Sequence, residues 1–329
     1  MTSAPPASPT PYRADVRRVR GLTAVTAAAV LFGVNASVSK VALDAGVEPR
    51  QLAALRCTGV AIGLLVLVGP TAPGRLRVPR RSLPQLAVLG VVGAALIQWL
   101  YFVAIDRLPV GIAILVEFTG PVLVALWARL VLREVVPPVV WSALGLSLAG
   151  LVLVAQVWRD TRLDAVGLAA AVAAAGCYAT FLLLGRHMGG AHDAVAVNFW
   201  MFVFASVFWL VVEPPWAIER APLTAATTLP GVLDGIEVPV WAVVVAVIGF
   251  GTLAPYALNL TALRHLPAAT VGAVGMLEPV IATVVAWAWL GQSLSAPQVL
   301  GGAVVLAGVA LAQAATSTPA LGAISAEGR

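Results

Sequence analysis

Ten long apolar segments constrain what this chain can fold into more than any other feature. They cover residues 22–43, 51–70, 83–105, 109–132, 137–157, 165–185, 195–213, 239–262, 267–290 and 294–315. A helix needs about 20 mostly apolar residues to cross the hydrocarbon core of a bilayer. The chain is 60% hydrophobic and only 11% charged, whereas soluble domains carry about 25% charged residues. We therefore predict an all-α polytopic membrane protein with ten transmembrane helices.

The sequence also repeats itself after 158 positions. Residues 104–126 (AIDRLPVGIAILVEFTGPVLVAL) align without gaps with residues 262–284 (ALRHLPAATVGAVGMLEPVIATV), and two proline pairs coincide, Pro109/Pro267 and Pro121/Pro279. Five spans are an odd number, so a second five-span unit enters the membrane upside down. We predict a first five-helix repeat at 22–157 and an inverted one at 165–315. Many secondary transporters are built this way, with a midplane site and alternating access.

The distribution of arginines predicts the orientation of the chain. If the N-terminus is inside, twelve arginines flank the inner ends of the spans, and five lie in outer loops: Arg50, Arg107, Arg159, Arg162 and Arg220. Cytoplasmic loops carry the excess of positive charge, so we expect both termini in the cytoplasm. Residues 1–21 and 316–329 are expected to be disordered cytoplasmic tails. Heavy use of Ala, Val, Leu and Arg suggests a bacterial genome and thus the inner membrane.

Two cations fall within the first two spans. Lys40 is the only lysine of the chain, and the short hairpin after it places Arg56 at a similar depth. Both side chains could extend their charges to the outer interface. Alternatively, they form the cationic part of a substrate site, because Asn35 and Ser37 are expected to continue a polar stripe on the helix face of Lys40.

Two glutamates fall in the middle of spans 4 and 9. Glu117 lies four residues before Pro121, and Glu278 lies immediately before Pro279. Proline lacks a backbone donor and interrupts a helix, so both acids are expected beside a helix break. Charge inside the membrane costs about 2.5–3.5 kcal/mol and usually marks function; the alternative is an acid that only supports packing. Burial disfavours a charged carboxylate, which suits a proton carrier in antiport.

Further polar side chains within the spans are candidates for lining a cavity, although such residues also bond neighbouring helices. They are Asn35, Ser37, Gln98, Tyr101, Thr119, Tyr178, Asn198, Tyr256 and Asn259. The sequence contains no complete catalytic, metal-binding or Walker A motif. We predict no enzyme, no catalytic residue, no metal and no cofactor. Despite the net charge of +5, we expect no nucleic-acid partner; the partners are a small-molecule substrate, protons and the lipid bilayer, and the oligomeric state is left open.

These residues resemble the EamA-type drug/metabolite transporter superfamily over about residues 22–315. The matching segments are LFGVNASVSKVAL (31–43), LAALR (52–56), LPVGIAILVEFTGPVLVAL (108–126), LAPYALNLTALRHLP (253–267) and MLEPVIATV (276–284). Within the superfamily, VEFTGPVLVAL and the SVSK…LAALR pair are most similar to the threonine/homoserine exporter branch. Asn259 departs from the acid that this branch tends to carry.

The resemblance implies a transporter with two five-span inverted repeats that exports a small metabolite by proton antiport. Lys40, Arg56, Glu117 and Glu278 occupy its characteristic intramembrane polar positions, which makes them the substrate and coupling candidates. Efflux of aromatic or cationic drugs is the alternative within transport. A membrane-embedded enzyme or a scaffold is the alternative outside it.

Overall fold

The computed structural model describes residues 11–108, 110–158, 164–291 and 293–315. Within these ranges, ten helical segments are long and apolar enough to cross a membrane. They are Val16–Asp44, Pro49–Val68, Arg80–Ala104, Ile112–Leu130, Pro138–Ala155, Ala165–Ala191, Ala194–Val212, Val240–Leu263, Ala268–Trp289 and Ala296–Ala314, numbered here as spans 1 to 10. The prediction of an all-α polytopic membrane protein with ten transmembrane helices is confirmed.

The first five spans are built from seven helices. They are α1 (Pro11–Asp44), α2 (Pro49–Val68), α3 (Leu83–Gly90), α4 (Ile97–Arg107), α5 (Val110–Glu117), α6 (Gly120–Leu130) and α7 (Pro138–Ala155). A π-helical segment, Val91–Leu96, joins α3 to α4 within span 3. Two 3₁₀ turns, Pro73–Leu76 and Arg80–Ser82, lie in the connection before α3.

The second half of the chain follows the same pattern, with one additional short helix between spans 7 and 8. The helices are α8 (Ala165–Ala191), α9 (Ala194–Val212), α10 (Ala221–Thr224), α11 (Val240–Ile248), α12 (Ala254–Leu263), α13 (Ala268–Gly275), α14 (Leu277–Leu290) and α15 (Ala296–Ala315). A π-helical segment, Gly249–Leu253, joins α11 to α12 within span 8. It begins 158 residues after Val91, the start of its counterpart in span 3.

The long connection between spans 7 and 8 is more ordered than a plain loop. It contains α10, a 3₁₀ turn at Gly231–Leu233 and an antiparallel hairpin of β1 (Ala226–Thr228) and β2 (Glu237–Pro239). This short hairpin lies outside the spans and leaves the all-α architecture of the membrane region unchanged.

Two boundaries differ from expectation by more than a few residues. The first helix begins at Pro11, so residues 11–21 of the expected disordered tail are helical; residues 1–10 and 316–329 lie outside the described residues. Arginine and alanine favour helix here, and the Arg18 guanidinium donates a hydrogen bond to the carbonyl of Gln313 at 3.1 Å. Span 6 continues to Ala191, and it packs closely against the end of span 8: a Cβ on Gly185 would lie 3.0 Å from Leu263, and one on Gly189 would lie 3.0 Å from Arg264.

Spans 5 and 10 pack against each other through glycines. A Cβ on Gly150 would lie 2.7 Å from the carbonyl oxygen of Gly301, and one on Gly308 would lie 2.9 Å from that of Ala143. Gly308 and Gly301 are the residues 158 positions after Gly150 and Ala143. The contact is therefore reciprocal, as a two-fold relation between the halves requires. Small residues allow this close backbone approach in membrane helices.

The connections gather at two ends of the helical bundle. At the end where α1 begins, called here the N-terminal face, Arg75 and Asp193 form an ion pair at 3.3 Å. At the opposite face, Arg50 lies 3.9 Å from Glu213, and Arg107 lies 3.8 Å from Asp164. The loops thus alternate between the faces as ten consecutive spans require.

Candidate functional site

Spans 4 and 9 are each interrupted near their middle. Span 4 breaks between α5 and α6, and span 9 breaks between α13 and α14. Pro121 and Pro279 lie in the first turn of the helix that follows each break, where a missing N–H costs least. Neither proline can donate to the carbonyl four residues earlier, which belongs to Glu117 in one half and Gly275 in the other.

The two glutamates lie on opposite sides of their helix breaks. Glu117 is the last residue of α5, whereas Glu278 is the second residue of α14. Both side chains are partly exposed, and among the described residues neither carboxylate has a hydrogen bond or an ion pair. The glutamates interact electrostatically with each other and with Tyr101 and Tyr178. Two unpartnered carboxylates therefore lie close together at the broken centre of the bundle.

Arg56 approaches the same centre from α2. Its side chain is buried, with 7% of its surface exposed. Its Nε–H donates to Thr252 Oγ1 at 2.8 Å, and its Nη2 donates to the carbonyl oxygen of Gly251 at 3.3 Å. Arg56 also interacts electrostatically with Glu278, yet no carboxylate lies within 4.0 Å of it in the part of the chain that the structure describes. The guanidinium, which has five N–H donors, keeps some of them free for another acceptor.

The π-helical segment of span 8 contains both residues that accept hydrogen bonds from Arg56. A π-turn interrupts the regular bonding of a helix, and such turns often mark functional sites. Thr252 Oγ1 donates to the carbonyl oxygen of Val247 at 2.8 Å while it accepts from Arg56. An alanine in place of Gly251 would force the side chain of Asn35 on α1 to move, because a Cβ there would overlap its Oδ1. Asn35 and Arg56 therefore both lie against Gly251.

The repeat also pairs polar residues around the centre. Gln98 and Tyr256 are 158 residues apart, as are Tyr101 and Asn259. Gln98 is buried and donates to the carbonyl oxygen of Ala94 at 2.7 Å, but its Oε1 has no partner among the described residues. Asn198, fully buried on α9, likewise has an unpartnered Oδ1 within the described chain. Buried polar atoms without partners are costly, so both oxygens mark places where the described chain leaves a polar atom unsatisfied.

Aromatic rings enclose the polar groups. Tyr256 makes edge contacts with Phe32, Phe181 and Phe202, at centroid separations of 5.4, 5.4 and 5.1 Å. Edge-to-face contacts of this kind stabilise a packed aromatic cluster. The cluster forms an apolar wall next to the charged groups.

Tyr178 of α8 lies between the two helix breaks. A Cβ on Gly120 would lie 2.9 Å from Cδ1 of Tyr178, and one on Gly275 would lie 2.9 Å from its hydroxyl oxygen. Gly120 and Gly275 are the repeat counterparts of Glu278 and Glu117. At these two aligned positions, the first half has Glu117 and Gly120, and the second half has Gly275 and Glu278. Each half thus has one acid and one glycine that leaves room for Tyr178.

The structure separates Lys40 from the other three charged candidates. Its side chain is 58% exposed and forms an ion pair with Asp44 at 3.1 Å. Asn35 and Ser37 are buried, and Asn35 accepts a hydrogen bond from Ser39 at 3.3 Å. Lys40 and Asn35 therefore lie on different sides of α1, because five residues at about 100° each leave them about 140° apart, whereas Ser37 is only about 60° from Lys40.

The remaining candidate is Thr119, which lies in the break of span 4. Its hydroxyl donates to the carbonyl oxygen of Val116 at 2.6 Å, within its own turn. The residues that sequence reasoning missed are Gly251 and Thr252. Their signal was a glycine pair, Gly249 and Gly251, inside an apolar span and just before Pro255. Within the described residues, no three His, Cys, Asp or Glu side chains are grouped to hold a metal.

A family model described as the EamA-like transporter family matches residues 19–156 and 165–313. The chain belongs to this family. Its membership confirms the resemblance drawn from the sequence and identifies a multi-pass membrane transporter. Several curated proteins and a solved structure are also similar to this chain.

Curated relatives include the threonine/homoserine exporter RhtA of Escherichia coli strain K12, 30% identical over 253 residues, which cover 75% of this chain and 77% of that protein. RhtA of Salmonella typhimurium strain LT2 is 28% identical over 252 residues with the same coverage. A probable terminal-alkyne amino-acid exporter of Streptantibioticus cattleyicolor is 29% identical over 280 residues, covering 83% and 86%. One crystal structure shares the fold with a TM-score of 0.68 at 20% identity, covering 90% of this chain and 98% of that one.

Proposed function

We propose that this EamA-like transporter exports small amino acids such as threonine and homoserine from bacteria, in exchange for protons. The observation that supports this most directly is the central site, where a buried guanidinium interacts electrostatically with Glu278, Glu278 interacts with Glu117, and neither carboxylate has a partner in the described chain. A zwitterion presents the complementary charges. The names of the relatives support an amino acid as the substrate class.

In this proposal, Arg56 binds the substrate carboxylate. Its position is held by Thr252 and Gly251, so part of the ordering cost is already met before the substrate arrives. A planar guanidinium matches a carboxylate with two parallel hydrogen bonds. Lys40 is assigned no direct contact, because its ammonium is exposed and already paired with Asp44.

The two glutamates are assigned different tasks from their helix positions. Glu278 lies in the first turn of α14, where the helix dipole favours negative charge, and it interacts with Arg56. We assign it to the substrate ammonium. Glu117 ends α5, where the dipole opposes negative charge. We assign it to carry the coupling proton.

The helix breaks suit alternating access. Half-helices can tilt about a break with few backbone hydrogen bonds to disrupt, and inverted repeats allow the two halves to exchange conformations. The arginine distribution favours cytoplasmic termini in the bacterial inner membrane. With this orientation, the N-terminal face is the cytoplasmic face.

Efflux of aromatic or cationic compounds is a second candidate. The aromatic cluster of Tyr256 with Phe32, Phe181 and Phe202 favours it, since aromatic faces attract flat or cationic ligands. The two candidates differ in the need for Arg56. An amino acid requires the guanidinium for its carboxylate, whereas a cationic drug is repelled by it.

The test is transport into inverted membrane vesicles that contain the full chain, with and without an imposed proton gradient. Labelled threonine, homoserine and phenylalanine and a cationic dye are compared. Arg56→Gln is matched with Lys40→Gln, which removes the same charge outside the site. We expect gradient-driven threonine or homoserine uptake that Arg56→Gln abolishes and Lys40→Gln preserves. Background uptake of every amino acid, with dye uptake in the wild type, would refute the amino-acid proposal.

A further inference from the structure

A pocket lies at the N-terminal face, away from the central site. It has a volume of about 280 Å³, and it is lined by Arg20, Arg75, Asp193, Ala194, Val195, Thr261, Arg264 and His265. These residues come from the start of α1, the connection before α3, the start of α9 and the end of α12. Both halves of the chain therefore contribute to its wall.

The charges of this pocket do not cancel. Three arginines face one aspartate, and that aspartate is already paired with Arg75. Asp193 accepts hydrogen bonds from Arg75 at 3.3 Å and from the backbone N–H of Val195 at 2.8 Å. Arg20 and Arg264 have no acceptor or ion-pair partner in the described part of the chain. Two cationic groups are thus left free to bind an anion.

Close packing brings together the segments that carry these two cations. Gly21 packs against the side chains of Leu266 and His265, which brings the start of α1 next to the end of span 8. The stem of Arg264 lies against Gly189, where a Cβ would be 3.0 Å from its Cγ. The start of α9, a 19-residue helix, adds the positive end of a helix dipole.

The same excess of positive charge affects the pKa of His265. Burial lowers the pKa of His265 below its ordinary value, and Arg20, Arg17 and Arg264 lower it further. Its Nδ1 is buried and has no hydrogen-bond partner among the described residues. A neutral imidazole can donate from one nitrogen and accept at the other. The histidine, which lines the pocket, therefore has one nitrogen whose hydrogen-bonding capacity is unused within the described chain.

We propose that this pocket binds a phosphate-bearing anion between Arg20 and Arg264. The pocket lies at the ends of membrane spans, at the level of lipid headgroups, where basic pockets between helices bind anionic lipids. Two sources offer this chemistry: the phosphate of an anionic phospholipid and a soluble phosphate compound. The site is separate from the transport site, and the inference does not depend on the proposed substrate.

The experiment uses the full chain in nanodiscs and two probes. The first probe is lipid composition: the protein is reconstituted in phosphatidylcholine with a minority of phosphatidylglycerol, released, and its retained lipids are quantified by native mass spectrometry. The second probe is inorganic phosphate, titrated in pure phosphatidylcholine while the ring signals of labelled histidines are followed by NMR. His265→Gln identifies the signal of His265. Arg20→Gln and Arg264→Gln are compared with Arg81→Gln, an exposed arginine outside the pocket.

For a lipid headgroup, we expect enrichment of phosphatidylglycerol that falls at least about tenfold in Arg20→Gln and Arg264→Gln, as loss of a charge-assisted hydrogen bond predicts. For a soluble anion, phosphate raises the pKa of His265 in the wild type without lipid enrichment. Arg81→Gln should match the wild type in both assays. The proposal is overturned if neither probe responds, or if Arg81→Gln reduces the response as much as the pocket variants. Size-exclusion profiles of the single variants verify that each is folded.

Discussion

The contact between spans 5 and 10 makes a quantitative prediction about two glycines of one helix. Gly150 and Gly145 both lie in α7, five residues apart. A Cβ on Gly150 would lie 2.7 Å from the carbonyl oxygen of Gly301 and 2.7 Å from the backbone nitrogen of Val305. A Cβ on Gly145 would meet nothing within 4 Å. The two alanine variants therefore differ only in the atoms of α15 that the new Cβ would contact.

The magnitude follows from two opposing terms. Replacing glycine by alanine inside a helix favours folding by about 0.8–1.0 kcal/mol, and this gain is the same at both positions. Overpacking against backbone atoms, which cannot rotate away, costs about 1–3 kcal/mol. We expect Gly145→Ala to stabilise the protein slightly and Gly150→Ala to be less stable than Gly145→Ala by about 1–3 kcal/mol.

The assay is reversible unfolding of both variants in mixed micelles with increasing denaturing detergent. Helix propensity contributes equally to the free energy of unfolding of both variants. The difference between their free energies of unfolding therefore reports the contact of α7 with α15. Equal stability of the two variants, or greater stability of Gly150→Ala, would show that the helices do not approach each other as closely as the structure places them.

Four further predictions concern the charged groups. Glu117→Gln should keep threonine exchange but lose threonine accumulation driven by a pH gradient. In the wild type, the gradient supplies about 1.36 kcal/mol for each exchanged proton and each pH unit. Gradient-driven accumulation by the variant would contradict the assignment of Glu117 as the proton carrier. Arg56→Lys should weaken substrate binding by about tenfold or more, measured as KM, because an ammonium cannot form two parallel bonds; an unchanged KM would refute bidentate binding. Lys40→Gln should leave transport within twofold of wild type, since the exposed ion pair contributes at most about 1 kcal/mol; a larger loss in the vesicle assay would place Lys40 in the site. The pKa of His265 is lowered in the fold, so its contribution to stability is full above about pH 6.5 and is lost as the pH falls through the folded pKa. His265→Gln should therefore make thermal stability depend less on pH in that range. A pH profile of thermal stability identical to that of the wild type would contradict the burial of His265.

Part of the site could be predicted because its cause is local. Glu117 and Glu278 were placed beside helix breaks from the prolines that follow them, since a missing backbone donor acts within its own turn. Their roles in binding and coupling stay predictions, as do the exact limits of the two repeats. The π-helical segment at Gly249–Leu253 was not anticipated, although its glycines were visible, because composition alone does not distinguish a π-turn from close helix packing.

The sequence by itself determined the ten spans, the internal repeat and the family, because apolar length and residue order act along the chain. Only the tertiary structure decided which of the two cations faces the centre. Arg56 meets Thr252 across 196 positions of sequence, whereas Lys40 pairs with Asp44 one turn away. The rotation of each helix about its axis depends on how distant helices pack, and hydropathy along a span does not encode it. The same packing brings Arg20 and Arg264 together at the N-terminal face.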